Sequence, residues 1–197
     1  DSAWHFSDLP MALSSVDLRD LDVLGRHERF IGRTLADILS DSPHSEVDLS
    51  ELDPSHSIEL LKHPVKRVRL GISGLIGDSG RPNNHMLLGE TSLERLASEA
   101  NDDSFEILLE SRIMLRYSPS HVLGINGHFM TTQFAMDNGE FLPPFFPNGV
   151  GIDGHFGTLL HFISRGAVIA YLPFAFVHAP PARSNMYVDG MTRIHTR

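Results

Sequence analysis

From Lys66 onward the chain begins to alternate, and that change of texture bounds the fold more tightly than any other feature. Arg67-Val-Arg-Leu-Gly-Ile-Ser73 places apolar side chains at every second position, the period of a strand with one wet face. Residues 105–117 alternate again, and 128–136 reads as a further strand. Two apolar runs, 167–172 and 174–177, flank Pro173 and end at His178. Residues 153–165 follow a different period. Phe156, Leu159, Leu160 and Ile163 fall at i, i+3, i+4 and i+7, one face of a helix, with Asp153 as a candidate cap and Gly166 as a natural stop. Strands interleaved with helices define an α/β or α+β chain. The expected sheet includes 68–72, part of 105–117 and part of 167–177, with the helix packed on it through Phe156, Leu160 and Ile163.

The first third reads otherwise. Leu21, Leu24, Ile31, Leu35 and Ile38 recur at helical spacing across 14–40, and Ser14-x-x-Asp17 resembles a capping box. Gly25 and Gly32 each weaken such a helix by about 1 kcal/mol relative to Ala. Residues 41–64 are acidic and punctuated by Ser and Pro, the texture of a linker. The chain therefore divides into a helical segment with its acidic linker, 1–66, and a strand-rich region, 67–197, within one compact domain. Gly77-Asp-Ser-Gly-Arg-Pro-Asn-Asn84 is a turn cluster, Thr91-x-x-Glu94 opens a short helix, and 137–151 is a Pro/Gly-rich loop.

With 197 residues, the chain is long enough to bury roughly 70% of its unfolded surface without a disulfide or metal staple. Cysteine is absent, which excludes thiol catalysis and Cys-ligated metal and suits a reducing, cytoplasmic setting. No apolar run approaches the ~20 residues of a membrane span. The first residues carry neither a basic nor an apolar signal region, and the missing initiator Met points to a processed chain or a piece of a longer one. Net charge is −9, and the basic runs at 62–69 and 193–197 are short, with no interleaved aromatics. Nucleic acid is therefore not an expected partner.

Several short motifs tempt and fail. Gly77-Asp78-Ser79-Gly80-Arg81-Pro82 echoes the nucleophile loop of trypsin-like proteases. Yet only 78 residues precede Ser79, too few for a first barrel carrying a catalytic His and Asp. A turn is the better reading. Asp20-Leu-Asp22, Glu46-Val-Asp48 and Glu51-Leu-Asp53 mimic a carboxylate clamp for a divalent ion, but none follows an apolar strand, and Asp20 and Asp22 fall on the solvated face of the expected helix. A histidine-based metallohydrolase would need His128, His155, His161 and His178 to converge in twos or threes, and none has the spacing of a helical metal site.

The last third carries an ordered set. Met136-Asp-Asn-Gly-Glu-Phe-Leu-Pro-Pro-Phe-Phe-Pro is followed by Gly151-Ile-Asp-Gly-His-Phe-Gly157 and then Leu172-Pro-Phe-Ala-Phe-Val-His178-Ala-Pro-Pro-Ala-Arg183. In order and spacing this resembles a bacterial glycosyltransferase-like family related to the large inverting family with a GT-A fold. The likeness runs from about 67 to 183. It implies a partial GT-A-like mixed sheet with flanking helices, and the acceptor-side part of a metal-dependent nucleotide-sugar glycosyltransferase. A divalent cation, Mn²⁺ or Mg²⁺, would serve with the nucleotide-sugar donor, and a hydroxyl compound would accept the sugar.

By the same resemblance, Asp153 is the general base that deprotonates the acceptor, His178 a metal ligand, and Arg183 the cation beside the leaving diphosphate. The Pro-Pro-Phe-Phe segment walls the acceptor site. Each has a plainer reading: a helix cap, a hydrogen-bonded rim histidine, a solvated arginine and a packed loop. Ile152 stands where the family usually has Glu, and the nucleotide-binding βαβ half with its Asp-x-Asp is not found here. The donor site therefore belongs to an upstream segment or a second chain, or else the domain binds and assembles without catalysing. On either reading the chemistry is expected between Asp137 and Arg183.

Overall fold

The computed structural model describes residues 2–41, 66–80, 111–125, 133–146, 152–164 and 167–180, with Ser55, Ile58, Lys62, Glu94 and Ser98 as isolated helical positions. In chain order the elements are β1 (Ser2–Phe6), α1 (Leu9–Ser14), α2 (Val23–Glu28), α3 (Leu35–Ser40), β2 (Val68–Asp78), β3 (Ile113–Tyr117), β4 (Val122–Gly124), β5 (Phe134–Met136), α4 (Ile152–Ile163) and β6 (Val168–His178). The expected class holds: helices flank a mixed sheet. No helix among the described residues is long and apolar enough to cross a membrane.

The sheet runs β1-β3-β2-β6-β4, with β5 beside β2. Its spine is the parallel pair β2–β6, joined from Val68↔Val168 to Gly77↔His178. The other edge of β2 is shared: β5 takes Leu70–Ile72, and β3 takes Leu75–Asp78, both antiparallel. β2 is thus interior, and its burial is nearly continuous rather than alternating, as for a strand covered on both faces. Two of the polar positions expected to face water, Arg69 and Ser73, are buried and bonded instead. Ser73 Oγ donates to the Gln133 carbonyl at 3.1 Å, and Arg69 is 2% exposed.

Two irregularities set which way β2 points. Leu70 follows Val68 against consecutive residues of β6, so Arg69 is an extra residue. Beyond it Leu70 and Ile72 pack with Phe156 and Leu160 of α4, whereas Val68 joins Phe30, Leu35 and Ile38 on the α2–α3 side. Further along, Leu172, Pro173 and Phe174 stand opposite Ser73 alone. This second irregularity is where the strand accommodates Pro173, whose ring nitrogen has no ladder hydrogen to give. β4 pairs only Ile169–Tyr171 of β6, leaving Pro173 outside that ladder too. The two runs expected from sequence are one eleven-residue strand.

The single helix read over 14–40 is divided. Asp8 caps α1 by accepting from Met11 N at 2.8 Å, Asp22 caps α2 through Gly25 N at 3.0 Å, and Thr34 with Asp37 forms the capping box of α3. Gly32 at φ +74 turns the chain between α2 and α3, a conformation costly for any other residue. Ser14 is the last residue of α1 rather than a cap, and Asp20-Leu-Asp22 is not helical. In α4, Phe156 and Leu160 are each 1% exposed, but Ile163 lies 44% exposed and does not pack as expected. Full burial of the first two contributes about 1.5–3 kcal/mol each.

Candidate functional site

Parallel strands carry their carboxyl ends to one edge, and in open α/β sheets that edge is the usual place for a ligand crevice. Here it brings together Asp78, the last residue of β2, and His178, the last of β6. Their close approach depends on Gly77. Its φ is +117, and a Cβ there would lie 2.3 Å from the His178 carbonyl oxygen. β3 begins at the same edge and delivers Arg112 from the residue before it. Arg112 Nε and Nη2 donate to the two oxygens of Asp78 at 2.9 and 2.7 Å. Ser79 Oγ donates to the Arg112 carbonyl at 2.8 Å, and Gly80 N donates to Asp78 Oδ1 at 2.8 Å. With its carboxylate occupied in this way, Asp78 closes the turn.

The His178 ring is exposed and its Nδ1 lies 2.5 Å from the Asp78 carbonyl oxygen. A carbonyl only accepts, so Nδ1 carries the hydrogen and donates it. The neutral ring then keeps its lone pair on Nε2, the tautomer suited to accepting a proton or ligating a cation. As a cation site the described residues are incomplete: no three of His, Asp and Glu among them converge. His178 offers one nitrogen, and among the described residues no group of three ligands includes it, so the cation implied by the resemblance does not fit these residues alone.

A second locus lies upstream. Arg69 Nη1 pairs with Glu140 and stands 3.6 Å from Asp137, and Nη2 donates to the Phe141 carbonyl at 3.3 Å. The backbone adds Asp137 N to the Arg69 carbonyl at 2.9 Å. This buried arginine fastens the start of the Pro-rich loop to β2. The far end is held by rings. Phe145 stacks on Phe156 with centroids 4.0 Å apart and planes within 4°, and Phe146 meets His155 edge-on at 5.5 Å. Phe141, Phe145 and Phe146 nevertheless keep exposed faces.

Asp153 stands one turn before Phe156, in the first turn of α4. Because α4 begins at Ile152, Asp153 is inside the helix rather than its cap. It still benefits from the positive end of the dipole. α4 packs through Phe156 and Leu160 on Leu70, Ile72 and Ile169, in the first halves of β2 and β6, whereas Asp78 and His178 are the last residues of those strands. No polar contact joins Asp153 to His178 among the described residues. Arg183 and His128 lie outside those residues, as do Glu46, Asp48, Glu51 and Asp53. His155 and His161 are exposed on α4 and do not converge with His178.

Three buried or half-buried groups escaped sequence reasoning: Arg69, His27 and the pair Arg116 and Tyr171. Burial raises the Tyr171 hydroxyl's proton affinity, and the nearby Arg116 partly offsets it; burial also lowers that of Arg116. A polar residue inside an alternating strand looks the same in sequence whether water or a carboxylate covers it. The one usable signal was Asp137-x-x-Glu140, a pair of acids opening a Pro-rich loop.

Comparison with family models, curated proteins and solved structures returns no match to this chain.

Proposed function

We propose that this chain is the acceptor-side part of an inverting nucleotide-sugar glycosyltransferase. The observation that carries the reading is the loop from Asp137 to Phe146, pinned by Arg69 at one end and by the Phe145–Phe156 stack at the other. It forms a stiff aromatic wall one helical turn from Asp153. Flat exposed rings beside a carboxylate suit a sugar-like acceptor, whose apolar ring face packs on an aromatic while its hydroxyls meet polar groups.

In this reading Asp153 takes the proton from the acceptor hydroxyl as its oxygen bonds to the anomeric carbon. The bond to the diphosphate breaks on the opposite side, and configuration inverts. The donor and its divalent cation are held with a further segment or a second chain, with His178 and Arg183 assigned to that side. The enzyme would act in the cytoplasm. A binding or assembly role without catalysis is the second reading, favoured by the exposure of Phe141, Phe145, Phe146 and Phe162.

Asp153→Asn in the assembly complete with its donor half separates the two. The substitution removes basicity and costs about 0.3–1 kcal/mol of charge–dipole stabilisation. Catalysis predicts turnover reduced by roughly 10²–10⁴ in a folded protein. Sugar transfer at the wild-type rate in that variant would retire the assignment.

A further inference from the structure

On the side of the sheet covered by α2 and α3, three basic side chains, Arg26, Arg29 and His121, take part in no ion pair among the described residues. Arg26 lies over the Phe174 ring, its guanidinium carbon 5.8 Å from the centroid. His121, just before β4, lies tilted against Phe30 with ring centroids 5.1 Å apart and planes at 31°. Phe30 and Phe174 belong to one buried core cluster, so both side chains are mounted on the same rigid support. Arg29 follows α2 three residues after Arg26, the spacing that puts two side chains on one helical face.

The electrostatics agree with this placement. His121 binds its proton less readily than a free histidine through partial burial, then through Arg29 and Arg26, with no acid acting the other way. The ion pairs among the described residues occupy Arg19, Arg33, Arg69 and Arg112, and none involves Arg26 or Arg29. Asp22 is committed to capping the other end of α2. Placing arginines at the carboxyl end of a helix suits its dipole, which accounts for two of the three groups. It does not account for His121, brought from another segment into a field that repels its proton. In a chain with 25 acids against 16 bases, two arginines without an ion pair among the described residues, set beside a histidine, leave room for an outside anion.

We propose that Arg26, Arg29 and His121 form a binding site for a tetrahedral phosphoryl group, free or carried on a nucleotide. Planar guanidinium groups match phosphate oxygens with paired hydrogen bonds, and His121 supplies a further donor when protonated. Phe30 and Phe174 hold two of the three in place, so little side-chain freedom is lost on binding. The site is independent of Asp153 and of the transfer reaction proposed above.

The test is calorimetric titration of the full chain with inorganic phosphate at neutral pH, followed in parallel by the NMR signals of the His121 ring. Saturable binding that shifts those signals is expected. Arg29→Gln should weaken it about tenfold or more, the usual loss of a charge-assisted hydrogen bond, and so should Arg26→Gln. Arg19→Gln, which alters an exposed arginine paired with Asp17, should bind as wild type. A second titration with a nucleoside diphosphate distinguishes the sources. Equal affinity identifies the bare phosphoryl group, and affinity at least tenfold tighter identifies a nucleotide. If Arg26→Gln loses its packing on Phe174 and unfolds, the exposed Arg29→Gln decides. No saturable binding of either probe, or unchanged affinity in folded Arg29→Gln, overturns the proposal.

Discussion

The Arg112 guanidinium grips the Asp78 carboxylate at both oxygens, 2.9 and 2.7 Å away, and the Asp78 carbonyl in turn holds the His178 ring at 2.5 Å. One residue thereby ties the start of β3 to the end of β2 through its side chain, and the end of β6 through its backbone. The tautomer of His178 is set by a structural contact that does not use the Asp78 carboxylate. Side-chain and backbone roles of Asp78 can therefore be separated by substitution.

Arg112→Ala should destabilise the protein by about 1–3 kcal/mol, because it leaves a partly buried carboxylate with fewer donors. The same change in an Asp78→Asn background should cost less, since the charge that needed pairing is gone. Urea unfolding of the four proteins in a double-mutant cycle measures the difference. Additive losses would show the fork to be ornamental to stability.

The core of α4 separates cleanly into buried and wet positions. Phe156→Ala should cost about 3–5 kcal/mol, since Phe156 is 1% exposed and carries the Phe145 stack. Phe162→Ser, at a position 79% exposed, should change the unfolding free energy by no more than about 0.5 kcal/mol. Comparable losses at the two positions would mean that α4 packs in another rotation.

The class of the fold was legible in sequence because helix and strand periods differ, and both are local. The period-two run at 67–73 marked β2, and Phe156 with Leu160 marked the buried face of α4. What failed depended on partners remote in sequence. Arg69 read as solvated because alternation cannot tell water from Asp137 and Glu140 as the cover. Pro173 read as a break because nothing near it reveals that three residues of β6 stand opposite Ser73. Residues 14–40 read as one helix because apolar spacing continues through it, while Gly32 and the caps at Asp22 and Thr34 divide it. Ile163 fits the helical face, but α4 ends there and the side chain escapes the sheet. At the site, His178 was placed correctly at a strand end, whereas its Asp78 partner lay hidden in what read as a plain turn.

His27 makes the fold sensitive to mild acid. It is 6% exposed, packed edge-on against Phe174, and its Nδ1 is buried without a partner among the described residues. Burial disfavours the charged ring and lowers its proton affinity. The unfolded chain takes up that proton near pH 6.5, whereas the folded chain does so only at lower pH. Stability is therefore intact above about pH 7 and falls as pH drops, by up to about 1.4 kcal/mol per pH unit for each such group. His121 acts in the same direction. Urea midpoints between about pH 7 and pH 5, where free carboxylates remain ionised, should decline in the wild type and decline less in His27→Leu. Equal slopes would remove His27 as the cause.

Gly77 is the position where the candidate edge is least tolerant of change. Its φ of +117 is one that a side chain strains to adopt, at about 1–3 kcal/mol. The added Cβ would also stand 2.3 Å from the His178 carbonyl oxygen and 3.3 Å from Leu9 Cδ1. Leu9 is the end of a flexible side chain and can yield, but the carbonyl is backbone and moves only if β6 moves. Overpacking of that kind adds about 1–3 kcal/mol. Gly77→Ala should thus lose about 2–6 kcal/mol in all, with part of the strain relieved by parting the ends of β2 and β6. That separation would lengthen the His178–Asp78 contact and release the ring's tautomer. NMR of the His178 ring nitrogens reads it directly, as a shift from one fixed tautomer towards a mixture. Gly80→Ala is the control, for φ is +89 there but no atom lies within 4 Å of the added carbon. It should show the conformational cost alone and leave the His178 tautomer unchanged. If Gly77→Ala and Gly80→Ala lose equal stability and both keep the tautomer, then the close approach of β2 to His178 contributes nothing to holding the ring.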